Sequence, residues 1–295
     1  VRIVTAISER LAVVGLGLLG GSVALAAKRR GAAVRVVGAT RSDEARRRAL
    51  ADGAVDEIVA LEDVARGADL VVLATPIYAM PDVLRRVAPG LGRGAIVTDV
   101  GSVKAPLTDT LPGLLPPGAL YVGSHPMAGS HERGMHAARE DLLEGAPCIV
   151  TEMGEPAAVA RVCAFWSALG SRVVRRDARE HDAEVAWMSH LPHVLAFAYA
   201  RTLRGAPAGA PELAGSGFRD FTRIAHSDPE LWGDILTTNR KALSAPLEAA
   251  AEALAELARL LEAGDAEALE RWLVEARSTL SLASRDSQRR TKTDI

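Results

Sequence analysis

The run Leu11-Ala12-Val13-Val14-Gly15-Leu16-Gly17-Leu18-Leu19-Gly20-Gly21-Ser22 decides the reading of this chain. A short apolar stretch ends in three spaced glycines, and an Ala/Leu-rich stretch follows to about Arg30. The order is strand, tight turn, helix. Gly15 permits the turn, Gly17 lets a pyrophosphate approach the backbone, and Gly20 lets the helix pack on the strand. The free N–H groups at the start of that helix, including those of Leu18 and Leu19, then point at the phosphates. Three glycines alone are a weak signal, but in this setting they form a dinucleotide fingerprint.

Outward from it, Val34–Gly38 reads as a second strand. In an NAD site an acid about 20 residues past the fingerprint bonds the ribose 2′-hydroxyl. That position is Thr40 here, followed by Arg41 and Ser42. Thr40 and Ser42 can donate hydrogen bonds to a 2′-phosphate, and Arg41 can pair with its charge and stack on the adenine. The expected cofactor is therefore NADP rather than NAD, with Asp43 and Glu44 as the acids that could still reach the ribose.

Further strands are expected at Asp69–Ala74, Ala95–Asp99, Leu120–Gly123, Cys148–Thr151 and Arg172–Arg175, with helices at Pro81–Ala88, Arg133–Leu143 and Glu155–Leu169 between them. The continuous apolar runs suit strands buried on both faces. Alternating strands and helices predict a doubly wound parallel, Rossmann-like sheet over residues 1–176. Its carboxyl edge is where ligands bind. Thr75 and Pro76, Ser102 and Lys104, and His125 all follow strands there.

From Ala178 strand signals vanish, which predicts an all-α domain over 177–295, with a polar, disordered tail from residue 284. Glu180–Leu203 reads as one helix kinked at Pro192. His190 and His193 share a face, but no third ligand lies near them in sequence, so no metal is expected. Holding a substrate oxyanion or carboxylate is the functional reading, and packed polar residues the plain one. Arg219 and Arg223, one helical turn apart, can clamp a carboxylate. Asp228-Pro229 starts a helix carrying Trp232. Pro246–Ala263 and Asp265–Leu282 are helices whose apolar stripes exceed the needs of one small domain, so a homodimer through the helices is expected.

The 295 residues are 48% hydrophobic and 24% charged, with a net charge of -2. That balance suits a globular protein with a small-molecule substrate, and neither nucleic acid nor a membrane as partner. The two cysteines, Cys148 and Cys163, have no paired spacing. They suit a reducing cytoplasm, and the N-terminal residues do not read as a signal peptide.

These segments resemble the prephenate/arogenate dehydrogenase family. The resemblance rests on Gly15–Ser22, Asp99–Lys104, Gly123–Gly129, Ser189–His193, and Asp220–Ala225 with Trp232, in the family's order. It implies a Rossmann domain followed by an all-α dimerisation domain, and NAD(P)-dependent oxidative decarboxylation in tyrosine biosynthesis. A hydride leaves the ring carbon bearing the 4-hydroxyl, the ring carboxylate departs as carbon dioxide, and aromatisation drives the loss.

The resemblance also implies roles. His125 takes the hydroxyl proton and Ser102 orients it. Arg223 holds a carboxylate, and His193, with His190 nearby, contacts the substrate. Trp232, Arg219, Ser130 and His131 line or support the pocket. The family often has Thr-Glu where this chain has Ser130-His131. An acid there would favour the ammonium of arogenate, so prephenate is favoured. No appended regulatory domain is expected. The alternative is another Rossmann/helical-dimer reductase, such as a β-hydroxyacid dehydrogenase, which would require a helical-domain lysine, and Lys241 is the one candidate outside the tail.

Overall fold

The computed structural model describes residues 6–129 and 132–293, with side chains as far as residue 281. Six strands form its main sheet: Ser8–Val14 (β1), Ala33–Ala39 (β2), Glu57–Ile58 (β3), Leu70–Leu73 (β4), Ile96–Asp99 (β5) and Leu120–Tyr121 (β6). Their order is β3-β2-β1-β4-β5-β6, and every pair is parallel. Helices Leu18–Arg29 (α1), Asp43–Ala51 (α2), Met80–Val87 (α3) and Ala105–Thr110 (α4) lie between them in sequence.

Period-2 alternation divides the buried side chains between two cores. Leu11, Val13, Val36, Leu70, Val72 and Ile96 join the α1 side. Ala12, Val14, Val37, Val71, Leu73 and Val97 join the other, with α3 residues Met80, Leu84 and Val87. Each fully buried Val or Leu contributes about 1.5–3 kcal/mol. The strand order reverses between β1 and β4, which opens the crevice for a ligand at the carboxyl edge.

The strands expected at Cys148 and Arg172 do not extend this sheet. Ser124–Pro126 (β7), Pro147–Thr151 (β8) and Arg172–Arg176 (β9) form a second, three-stranded sheet. β7 and β8 run antiparallel, β8 and β9 parallel. The cause lies in the connection. The helix expected over Arg133–Leu143 is, among the described residues, only a single turn at Met135–Ala137. A parallel return needs a long crossover, and between β8 and β9 the helix Pro156–Ala168 (α5) supplies one. Trp166 of α5 is fully buried, and its Nε1 donates to Ser124 Oγ at 2.8 Å, which fixes the first residue of β7.

The helical part begins with Ala178–Val185 (α6), capped by Asp177, whose side chain accepts from Arg179 N and Glu180 N. Pro192 does not simply kink the next helix. A π turn over Ala186–His190 precedes Leu191–Thr202 (α7). Proline has no N–H for the preceding turn, and the wider turn accommodates the lost bond. Ser216–Thr222 (α8), Pro229–Thr238 (α9), Arg240–Ala263 (α10) and Ala266–Thr293 (α11) complete the chain. Pro246 lies inside α10 rather than at its start. α11 also takes in residues from Ser284 that the sequence suggested were a disordered tail; no Gly or Pro interrupts it.

The structure groups into one compact unit ending at Leu243 and a second starting at Ser244. Within the second, Leu247, Leu254, Leu261 and Leu273 are exposed, and Trp272 Nε1 donates to Glu256 Oε2 at 3.2 Å. Among the described residues no helix is long and apolar enough to cross a membrane.

A Cβ built on Gly20 would lie 1.8 Å from the Gly15 carbonyl oxygen, whereas one on Gly17 meets nothing within 4 Å. Gly20→Ala should therefore lower folding stability by about 1–3 kcal/mol through overpacking. Gly17→Ala should leave it within about 0.5 kcal/mol. Denaturant midpoints at constant m measure both.

Candidate active site

The glycine turn closes with Gly15 N donating to Ala39 O at 2.8 Å. Gly15 has φ +95°, and a Cβ there would sit 2.5 Å from the Ala74 carbonyl oxygen, so the backbone requires glycine. Gly17, the N-cap of α1, has no side-chain capping bond. The first amides of α1, at Leu18, Leu19 and Gly20, lack helical partners by construction. Open space lies where a Cβ of Gly17 would project. Beside Gly15, Thr75 Oγ1 is buried without a hydrogen-bond partner. Open space over free amides and an orphaned hydroxyl at the sheet edge fit a dinucleotide. Pro76 follows, exposed.

The stretch after β2 is organised differently from the sequence reading. Ser42 is the N-cap of α2, its Oγ accepting from Ala45 N at 3.2 Å. Thr40 Oγ1 accepts from Ser42 N at 3.4 Å, and its carbonyl accepts from Arg46 Nε at 3.1 Å. Arg41 is exposed. Ser42 therefore serves the fold as the cap of α2.

The chemistry-bearing residues gather past β5 and β6. Lys104, fully buried, donates from Nζ to Asp99 Oδ1 and, at 2.7 Å, to Ser124 O. Asp99 also accepts from Tyr121 Oη at 2.7 Å and Gly101 N at 2.7 Å. Burial lowers the Lys104 pKa against the opposing pull of Asp99, and raises that of the Tyr121 hydroxyl. Lys104, which the sequence placed among reactive groups, is thus a buried anchor for the strand that carries His125.

His125 sits in β7 with Nδ1 2.9 Å from His181 Nε2. His181 Nδ1 lies 2.8 Å from Asp182 Oδ1. Asp182 accepts from Lys104 N at 2.7 Å and Ala105 N at 2.8 Å. Burial, followed by the neighbouring His181, Lys104 and His190, holds the His125 pKa well below the usual imidazole value, so the ring is neutral near pH 7. Among the described residues no hydrogen bond joins Ser102 to His125; the group bonded to His125 is His181. Neither His181 nor Asp182 was singled out in the sequence. The one local signal was a His-Asp pair in a helix first turn, which otherwise reads as solvated surface.

A second pair of histidines flanks this row. Asn239 Nδ2 donates to the Asp182 carbonyl at 2.9 Å and contacts His190 Nδ1 at 3.0 Å. Burial lowers the His190 pKa to about 4. His193 Nδ1 donates to the Ser189 carbonyl at 2.9 Å, leaving Nε2 as acceptor. Its ring stacks on Trp232 with centroids 3.7 Å apart, and His190 meets the same indole edge-on at 5.9 Å. Trp232 is the wall that sets both rings. Burial lowers the His193 pKa and the Arg223 charge lowers it further, against the bond to the Ser189 carbonyl, which raises it.

Arg223 is exposed, in the turn after α8. Arg219 donates to the Ala214 carbonyl at 2.8 Å and braces the loop before α8. Ser130 and His131 lie outside the described residues. Lys241 is exposed on α10.

A dinucleotide cradle at the carboxyl edge of a parallel sheet, with a neutral imidazole in the strand that follows β6, fits an NAD(P)-dependent dehydrogenase. Residues 23–175 match the prephenate dehydrogenase nucleotide-binding domain, and 177–275 the prephenate dehydrogenase dimerization domain. The chain is 37% identical over 245 residues to cyclohexadienyl dehydrogenase of Zymomonas mobilis, covering 80% of this chain and 82% of that protein. It is 33% identical over 276 residues to prephenate dehydrogenase of Bacillus subtilis, covering 91% and 74%. Prephenate dehydrogenase of Aquifex aeolicus, solved with hydroxyphenyl propionate and NAD+, superimposes with a TM-score of 0.86 at 29% identity, covering 96% of this chain and 100% of that one.

The chain belongs to the prephenate/arogenate (cyclohexadienyl) dehydrogenase family, and its reaction is NAD(P)-dependent oxidative decarboxylation of prephenate or arogenate toward tyrosine. The expectation of NADP is overturned by the NAD+ in the Aquifex aeolicus structure. The residues that suggested it have structural work in the fold: Ser42 caps α2, and the Thr40 carbonyl accepts from Arg46 Nε.

His190 titrates at about 4 in the folded chain against 6.5 as its ordinary value. The unfolded chain therefore binds more protons between those pH values. The His190 contribution is fully present above about pH 6.5 and lost as pH falls toward 4, roughly 3 kcal/mol in all. The lowered His125 pKa acts with the same sign. Denaturant midpoints followed from pH 7.5 to 4 should fall, and fall less steeply in His190→Gln.

Proposed function

We propose that this chain oxidises prephenate in preference to arogenate, with NAD+ as acceptor and His125 as the group that takes the hydroxyl proton. The observation that carries the reading is the neutral imidazole of His125, held from Nδ1 by His181, in the strand that directly follows β6 of the parallel sheet. Prephenate is favoured because Ser130 and His131 offer no carboxylate to an ammonium. The cofactor cradle is Gly15, Gly17, the amides of Leu18, Leu19 and Gly20, and the Thr75 hydroxyl, with Pro76 at its rim. The bound nicotinamide accepts the hydride.

The protein groups handle the proton and the charges. His125 accepts the 4-hydroxyl proton as the carbon–oxygen bond gains double-bond character. It returns the proton to the phenolate oxygen once carbon dioxide leaves and the ring aromatises. Aromatisation supplies the driving force, so no strong base is required at carbon. Arg223 and His193 hold a substrate carboxylate, with His190, Trp232 and Arg219 supporting them. Ser102, past the end of β5, is assigned to contact the same hydroxyl. The match to a dimerization domain, and the exposed Leu247, Leu254 and Leu261 at seven-residue spacing, support a homodimer. The free Cys148 and Cys163 support a cytoplasmic location.

A rate matrix of prephenate and arogenate, each with NAD+ and NADP+, tests the reading at the reduced-nicotinamide absorbance. The expected maximum is prephenate with NAD+, and no turnover of either acid would overturn the assignment. His125→Asn should lower kcat by on the order of 10²-fold or more with NAD+ affinity unchanged. Arg223→Ala should raise KM about tenfold or more with a smaller effect on kcat, which marks loss of uniform binding.

A further inference from the structure

We infer that His181 and Asp182 are positioning residues that fix the proton of His125 on Nδ1 and so keep Nε2 as the acceptor for the substrate hydroxyl. The inference rests on the proposed role of His125 and adds what sets its tautomer.

The hydrogen bonds run in one direction. Asp182 Oδ1 accepts from Lys104 N at 2.7 Å and Oδ2 accepts from Ala105 N at 2.8 Å. An ionised carboxylate only accepts. Facing Oδ1 at 2.8 Å, His181 Nδ1 must therefore be the donor. With its single proton on Nδ1, His181 carries a lone pair on Nε2. That lone pair faces His125 Nδ1 at 2.9 Å, so His125 donates, and its remaining nitrogen, Nε2, is left without a proton. The rings stand nearly perpendicular, at 83°, which suits an edge lone pair meeting an edge N–H rather than stacked faces.

His125, His181 and Asp182 are 8%, 1% and 4% exposed, so water does not compete for these bonds. The row is itself anchored. Asn239 Nδ2 donates to the Asp182 carbonyl at 2.9 Å, and the two amides that Asp182 accepts open α4, directly after the strand end that carries Ser102. When the hydroxyl proton moves to Nε2, the O–H bond breaks and an N–H bond forms. Nδ1–H continues to donate to His181, and the transient positive charge lies in line with the Asp182 carboxylate. The same bonds hold when the proton returns to the phenolate.

Reversal of the row would be costly to function. If His181 carried its proton on Nε2, it would donate to His125 Nδ1. His125 would then present an N–H to the substrate hydroxyl, where an acceptor is needed.

The test compares His181→Leu, which keeps bulk but has no lone pair, with His181→Gln. The Gln amide oxygen can accept from His125 while its NH2 donates to Asp182. Tautomers are read from long-range nitrogen–proton correlation spectra of the 15N-histidine-labelled full-length protein, with His125→Asn assigning the signals. The wild type should show His125 with its proton on Nδ1. His181→Leu should lose that pattern and on the order of 10²-fold in kcat, with KM and NAD+ affinity within about twofold. His181→Gln should recover the pattern and bring kcat to within about fivefold of wild type.

A wild-type His125 protonated on Nε2 would overturn the proposal, as would a Leu variant with wild-type kcat, or a Gln variant no better than Leu. If the Leu variant does not fold, the wild-type spectrum and the Gln variant still decide. The spectra need no substrate, so a chain that turns over neither acid would overturn the reaction assignment while leaving the tautomer question answered.

Discussion

A fully buried ion pair, Lys104 with Asp99, holds the carboxyl end of the parallel sheet and the strand after it in register. Removing two charges from water is expensive, and such a pair survives only when every remaining valence is matched. Here the matching groups come from separate segments: Tyr121 of β6, the Gly101 amide, and the Ser124 carbonyl of β7. The Lys104 amide then reaches into α6 through Asp182. One residue therefore ties the parallel sheet, the strand bearing His125 and the first helix of the α-helical part. Replacing one partner would strand a buried charge, and β7 would lose the contact that sets its height. A well-packed apolar pair could match the volume of Lys104 and Asp99, but it could not supply a donor to the Ser124 carbonyl.

The parts legible in the sequence are those with local causes. Each fingerprint glycine answers to its own steric demand: a positive φ at Gly15, open space at Gly17, the Gly15 carbonyl against Gly20. β4 is apolar throughout because both faces are covered, and β5 starts the same way before ending in the buried Thr98 and Asp99. What the sequence concealed depends on partners far along the chain. His181 lies 56 positions from His125, and Asp182 lies 78 from Lys104. In sequence both look like the acidic, solvated first turn of a helix. The second sheet was hidden for a related reason, since the segment before β8 is helical in composition yet forms only one turn.

The cofactor stretch shows how one residue type can serve two purposes. Ser and Thr donate to phosphate and also cap helices. At Ser42 the helix uses the hydroxyl oxygen as an acceptor. The two arginines of the clamp reading differ in one respect: Arg219 Nη1 also donates to the Ala214 carbonyl. Spacing alone made them equivalent; the backbone acceptor before α8 separated them.

Burial of His125 looks at first at odds with the proton-accepting role proposed for it, since it weakens the imidazole as a base. The stoichiometry of the reaction resolves this. Oxidation and loss of carbon dioxide release no net proton, because the phenolic product keeps the hydroxyl hydrogen. The acceptor has to hold that proton only while the carbonyl-like stage exists, and then give it back. A strong base would keep it and leave the site charged for the next substrate. A desolvated imidazole, neutral at rest and steadied from behind by His181 and Asp182, is strong enough only while positive charge is useful. Its reset follows from the same burial that lowers its pKa.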